Sequence, residues 1–392
     1  MLVVLLNWKT GDNDAFTYFN QTIAGYLEAC GKPTVTIQLT DKDWDKQILA
    51  LKENGIDFVF TWQGLGTRLK VNNPTQSFWE FHKIPIISLH GDHPCHMPPN
   101  HSLESRYCTH LYGTREFCQY SNRHFRRKTR AIFIDAPPLS QETPLPGRSG
   151  NHFVIMKNIT PPSVLEDQWK CELDMRTFGF YMAITEIMRQ QLYVGEHPDI
   201  HSLVDELIRI QGFVELLLPD NSARYHEMHS DLETWARNAK TVRVINLLKD
   251  VPLEIYGEGW ESFAAMGRSN HRYFPGRRLE ESGPLYYSRY GVIDITPSRT
   301  GLHDRTSRAM RNETSFFTSG YLPDFVPNMK KFDSLFYDFG PNGIREKCES
   351  IMSNPGHHNE LSREFGFLYQ TIASPSQFVW RLDSLARSMD LG

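Results

Sequence analysis

The chain lacks the features that would mark it as secreted, membrane-bound or generally polyanion-binding. Its six cysteines (Cys30, Cys95, Cys108, Cys118, Cys171, Cys348) show no framework spacing over 392 residues, so they read as free thiols in a reducing compartment rather than a disulfide scaffold. No window approaches the ~20 apolar residues that a membrane helix needs. Basic and acidic side chains nearly balance, 42 against 46, for a formal charge of -4. That balance argues against broad nucleic-acid or membrane-surface binding and leaves only local patches. The apolar start MLVVLLNW has no basic flank and is too short for a signal-peptide core, so it reads as a first β-strand. Internal repeats and low-complexity tracts are missing. The expectation is a soluble cytoplasmic protein with no nucleic-acid partner and no membrane span.

What is present is an alternating rhythm. Short apolar runs at Leu2–Leu6, Thr34–Ile37, Phe58–Thr61, Ile86–Leu89 and Ala131–Ile134 alternate with helical patterns such as Ala15–Ala29 and Trp44–Lys52. Such βαβ alternation predicts a parallel sheet covered by helices on both faces. A Pro- and Gly-rich stretch, 137–150, reads as a linker. Beyond it come a strand at Phe153–Met156, a mainly helical stretch over Val164–Leu248, and strands at Leu253–Tyr256, Val292–Thr296 and Thr314–Thr318. Helices at Asn342–Met352, Asn359–Thr371 and Ser376–Met389 close the chain. A chain of this length exceeds the size of one core. The expected organisation is an α/β protein of two Rossmann-like, doubly wound domains facing a cleft: 1–140, a linker over 141–150, 151–375 with a helical insertion at about 163–248, and a C-terminal helix over 376–392.

Ligands of open α/β sheets sit beyond the carboxyl ends of strands. In the second half those ends are Lys157 and Asn158, then Gly257, Gly259 and Trp260, then Ser298 to Arg305. The last is the most informative stretch. YSRYGVIDITPSRTGLHDRTSRAMRNETSFFT (Tyr287–Thr318) is a strand, a Pro/Gly turn, an Arg-rich helix from Leu302 to Asn312 and a second strand. A helix N-terminus at a strand end, with Arg299 and Arg305 beside it, suits an anionic ligand.

These residues resemble the GT-B glycosyltransferases, and among them the branch typified by the spore maturation protein CgeB. The likeness covers about the last 140 residues. LEIYGEGW (Leu253–Trp260) is similar to that family's strand ending in Tyr-Gly-x-Gly-Trp. Gly301, Leu302, Arg305, Ala309 and Thr318 match its Gly-Leu-Asn-x-Arg-x-Phe-Glu-Ala helix and following strand, and the tail from Leu335 matches its closing helices. The resemblance implies a sugar nucleotide held by the C-terminal domain, an acceptor held by the N-terminal one, and neither metal nor cofactor beyond the nucleotide-sugar co-substrate. Charge growing on the expelled nucleoside diphosphate would be met by Arg305, Lys157 and amides near Gly301. Gly257, Gly259 and Trp260 would shape the donor pocket, with Asn158, Ser298, Arg299 and Leu302 beside it. The chain departs from the pattern at His303, usually Asn, at Arg308, usually the Glu that holds the ribose, and at Glu313, usually Gly. Arg308 admits an altered or silent donor site.

The first half offers candidates for the acceptor side. LHGDHPCHMPPNH places His90, Asp92, His93, Cys95, His96 and His101 just after a strand. Asp92 or His93 would take the acceptor proton; a loop of local hydrogen bonds and a metal-dependent hydrolase are the other accounts, although the spacing fits no standard zinc signature. Asp12 and Asp14, after the first strand, are either helix caps or the base that inverting GT-B enzymes place in this domain. The Asn122–Arg130 cluster reads as a solvated basic face or as an anchor for a phosphate-bearing acceptor. The expected activity is transfer of a sugar from a nucleotide-activated donor to a glycan, protein or small-molecule acceptor. The rival is a catalytically silent GT-B protein that binds a nucleotide or glycan.

Overall fold

The computed structural model describes residues 2–8, 15–71, 76–102, 105–125, 130–135, 137, 150–213, 216, 222–301, 303–320 and 329–390. The chain divides into two units, the first formed by 1–143 and 367–392 and the second by 144–366. Most of the expected linker lies outside the described residues.

In the first unit, β1 (Leu2–Asn7) is apolar on both faces because it is buried on both. Val3 and Leu5 point into one core with Phe58, Phe60, Ile87 and Leu89. Val4 and Leu6 point into the other with Ile37, Val59, Ile86 and Trp79. With β2 (Thr34–Gln38), β3 (Ile56–Trp62), β4 (Ile86–His90), β5 (Cys108–Tyr112) and β6 (Arg130–Phe133), β1 builds a six-stranded sheet of order β2-β1-β3-β4-β5-β6. All its neighbours pair in parallel. The sequence pattern misses β5, because CTHLY carries a threonine and a histidine where an apolar run was sought; all five residues are nevertheless buried. The C-terminal helix, Pro375–Asp390, returns to this unit. Phe378, Val379, Leu382 and Met389 fill the core shared by Val3, Ile23 and Phe58, and Lys32 bridges Asp57 at 3.0 Å and Asp383 at 2.6 Å.

The second unit is a five-stranded parallel sheet of order β11-β10-β7-β8-β9, formed by β7 (Phe153–Met156), β8 (Leu253–Tyr256), β9 (His271–Phe274), β10 (Val292–Asp294) and β11 (Phe316–Thr318). Renumbered from β7, the order reads 3-2-1-4-5 from the β9 edge, and it reverses direction between β7 and β10. That reversal is the switch point where doubly wound sheets take ligands. The ladder between the two strands is the single register pair Val292 and Val154. The edge strand β9, HRYF, is too polar to announce itself and only half-buried. Between β7 and β8 lies the expected insertion, with helices Pro162–Glu172, Met175–Val194, Ile200–Ile210 and Ser222–Leu247. The two parallel α/β domains expected from the rhythm are both present.

Candidate functional site

The site begins with a charge in an apolar strand. Asp294 ends β10 and is 0% exposed. Its Oδ2 accepts from the amide of Thr306 at 3.3 Å and from the Thr306 hydroxyl at 2.7 Å. It thereby meets the positive end of helix Asp304–Arg311. Part of the free amide edge expected to hold a ligand is thus taken by the chain's own carboxylate. The other oxygen, Oδ1, lies 3.3 Å from His303 Nδ1 and 3.8 Å from Arg305 Nη1. His303 Nδ1 also lies 2.7 Å from Asp304 Oδ1. Burial works against a charge on His303, but Asp304 and Asp294 outweigh it and raise the imidazole pKa above its ordinary value. Burial likewise opposes charge on Asp294, and His303 with Arg305 reverses the effect, holding its carboxyl below the usual range.

Lys157 stands across the switch point, directly after β7. Burial, then the neighbouring charges of Arg305 and Arg237, push its pKa down to about 8. Its ammonium makes no hydrogen bond or ion pair to any described residue. Two or three cations gathered in a half-buried place repel one another until an anion joins them. The YGEGW segment holds this lysine in position. Lys157 N donates to Tyr256 O at 2.8 Å, and Trp260 Nε1 donates to Lys157 O at 2.7 Å. A Cβ on Gly257 would come within 2.1 Å of Lys157 O, and one on Gly259 within 1.8 Å of Ile159 O. These glycines are therefore required by backbone meeting backbone, where the sequence suggested backbone meeting ligand. Asn158 is engaged in the same weld, its Oδ1 accepting from Glu258 N at 3.0 Å.

Helix Ser222–Leu247 of the insertion braces both sides. Asn238 Oδ1 accepts from Thr160 N at 2.9 Å after β7, and Lys240 Nζ donates to Pro297 O at 2.5 Å after β10. Arg237, paired with Glu233, comes from the same turns. Ser298 is buried and donates to Thr300 O, Arg299 is exposed, and Gly301 is buried with φ +90. Leu302 lies outside the described residues. Arg308 corrects an expectation: it is 1% exposed, its Nη2 donates to Leu279 O at 2.8 Å, and its guanidinium lies over Tyr286. It is built into the core and is not a free cation beside the others.

No family model and no curated protein matches the chain. Solved structures do. The T4 phage protein "BGT in complex with its UDP-glucose substrate" aligns over 98% of this chain and 99% of its own at 9% identity, with a TM-score of 0.51. A T4 phage BGT "in complex with UDP and Mn2+" aligns over the same shares at 7% identity and TM-score 0.51. A third structure, titled T4 phage beta-glucosyltransferase, gives 8% identity and the same TM-score. The fold is GT-B.

In that fold the first unit carries the remaining candidates. Asp92 is exposed, and its Oδ2 accepts from Gln63 Nε2 at 2.9 Å. His93 is buried, with its Nδ1 accepting from Cys95 N at 3.1 Å and its ring edge-on to Phe117 and Tyr120. It caps the turn Pro94–His96, a structural post unlike the base expected there. Asp12 and Asp14 lie outside the described residues. The loop histidines do not act together: His90 and His101 join His110 of the overlooked β5, while His96 does not. Sequence reasoning also missed Asp294 and Arg237. Asp294 had a signal, an acid inside the apolar run VIDI; Arg237 on its long helix had none.

Proposed function

We propose that this protein is a glycosyltransferase that moves a sugar from a nucleoside-diphosphate donor to a hydroxyl or amide acceptor. One observation carries the reading: Lys157, directly after β7, and Arg305, on the helix after β10, flank the switch point, where burial first and then the charges of Arg305 and Arg237 lower the lysine's pKa to about 8. In the proposed reaction the bond between the sugar's anomeric carbon and the diphosphate oxygen breaks, and the electron pair stays on the diphosphate. Arg305 and Lys157 neutralise that growing charge, with His303 as a further donor. Arg305 offers a planar fork to phosphate oxygens and Lys157 a compact point charge. The acceptor oxygen or nitrogen forms the new bond and releases its proton to a base, for which Asp92 is the exposed described candidate. Gly257, Gly259, Trp260 and Asn158 serve by holding Lys157.

The sugar nucleotide named with the T4 phage structure makes UDP-glucose the first donor to try. The protein's own cations, Lys157 and Arg305, make turnover without a divalent metal the expectation, although one T4 phage structure is titled with Mn2+. Calorimetry with UDP and UDP-glucose, followed by a product assay in chelator and in Mn2+, tests both points. Failure of every nucleoside diphosphate to bind ends the proposal. The burial of Arg308, where the family that the sequence resembles has a ribose-holding Glu, favours one second reading, a silent nucleotide-binding GT-B protein. Tight binding without transfer or donor hydrolysis would select it.

A further inference from the structure

A second cluster of chemistry stands in the first unit. The pairing of β4 with β5 sets Ser88 beside His110 and His90 beside Tyr112. Side chains alternate along a strand, so Ser88, His90, His110 and Tyr112 share one face of the sheet. His101, ending the short helix Pro98–His101, completes the group. All three histidines are buried, and one ring nitrogen from each lies within 4.8 Å of the others. His90 Nε2 faces His110 Nδ1 at 2.9 Å. Two of the three outer nitrogens are braced: His101 Nδ1 bonds the Tyr112 hydroxyl at 2.7 Å, which bonds Ser121 Oγ at 2.5 Å, and His110 Nε2 lies 3.6 Å from Cys108 Sγ.

We infer that His90, His101 and His110 form a binding site for a divalent transition-metal ion of the zinc type. Outer nitrogens tied to hydroxyl or thiol partners are the support that ligating imidazoles usually have, because it sets the tautomer that leaves the inner nitrogen's lone pair for the metal. The all-imidazole set selects zinc-like ions over magnesium or calcium. A plain N–H···N bond between His90 and His110 accounts for one pair, but it does not account for the third imidazole on the same spot. Tetrahedral zinc holds nitrogens about 3.3 Å apart at bond lengths of roughly 2.05 Å, so the pair opens by only a few tenths of an ångström. The ion would pin both ends of the loop 91–100, which carries Asp92 between His90 and His101. The inference is independent of glycosyl transfer.

The test uses the full chain, stripped with chelator and titrated with Co2+ and then Zn2+. The expected result is a visible cobalt band saturating at one equivalent, lost on adding Zn2+, with a zinc-dependent rise in thermal midpoint. His110→Gln and His101→Asn each lose the band, and His357→Asn, an exposed histidine, keeps it. A missing band, or one that survives both cluster substitutions, overturns the site. If those variants do not fold, X-ray absorption of the zinc-loaded wild type decides. A shell with about three imidazole nitrogens supports the site, and a shell without imidazole overturns it.

Discussion

The carboxyl ends of the two sheets solve opposite problems. In the second unit they gather Lys157, Arg305 and His303 near the buried Asp294 and the half-buried Asp304, and the lysine has no hydrogen-bond or ion-pair partner among the described residues. In the first unit, β4 and β5 end in imidazoles and hydroxyls that bond to one another. Both sheets are parallel and doubly wound, so architecture does not explain the difference. What differs is electrostatic. Like charges held together favour an arriving anion, whereas converging imidazoles offer lone pairs that suit a metal ion.

The comparison breaks most readily at its glycines. Gly259→Ala forces a Cβ onto Ile159 O at φ +83 and is expected to cost about 2–4 kcal/mol, measured by denaturant unfolding. It also weakens UDP binding, because Lys157 loses its seat. Gly64→Ala, whose Cβ would meet Asn100 O at 2.6 Å in the first unit, should destabilise without changing UDP affinity in the folded fraction. Equal effects on binding would mean that the weld does not serve Lys157. Next, Arg305→Ala should weaken UDP binding about 10- to 100-fold by calorimetry, from the loss of charge-assisted bonds, while Asp92→Asn leaves UDP affinity unchanged and slows transfer.

Lys157→Met separates function from stability. It should lower UDP affinity about tenfold and yet raise stability by roughly 1–3 kcal/mol at neutral pH, since a charge held at a cost is removed. The lysine's pKa is depressed, so the unfolded chain binds more protons between about pH 8 and the ordinary lysine value of 10.5. Wild-type stability therefore gains on the variant as pH rises through that window. UDP affinity moves the other way, falling by up to tenfold per pH unit above 8 as the ammonium loses its proton. A flat pH profile would mean that Lys157 does not meet the diphosphate. The smallest effect is at Glu313, a residue with a side chain at φ +54. Glu313→Gly should stabilise by about 0.5–1 kcal/mol and leave binding alone.

Local pattern made much of the fold legible. Ala15–Ala29 is a helix with the bounds its periodicity suggested, and Phe153–Met156 and Leu253–Tyr256 are strands with theirs. Strands whose burial is not written in apolar residues escaped: Cys108–Tyr112 hides its histidine in a sheet core, and His271–Phe274 is a polar edge. For the site, Lys157 and Arg305 were visible as residues at strand ends. The neutralised helix N-terminus, the burial of Arg308 and the packing of His93 against Phe117 and Tyr120 were not visible, since each depends on partners 12 or more residues away or on the depth of a core.

From its residues alone this chain determined the βαβ alternation, the Arg-flanked turn after β10 and the glycines after β8, because periodicity, charge and backbone freedom are local properties. Only the tertiary structure decided that the charges of Lys157 and Arg305 interact at the switch point, that the last helix completes the first unit, and that three histidines meet. Strand order and crossover connections bring distant positions together, and spacing along a chain carries no record of them.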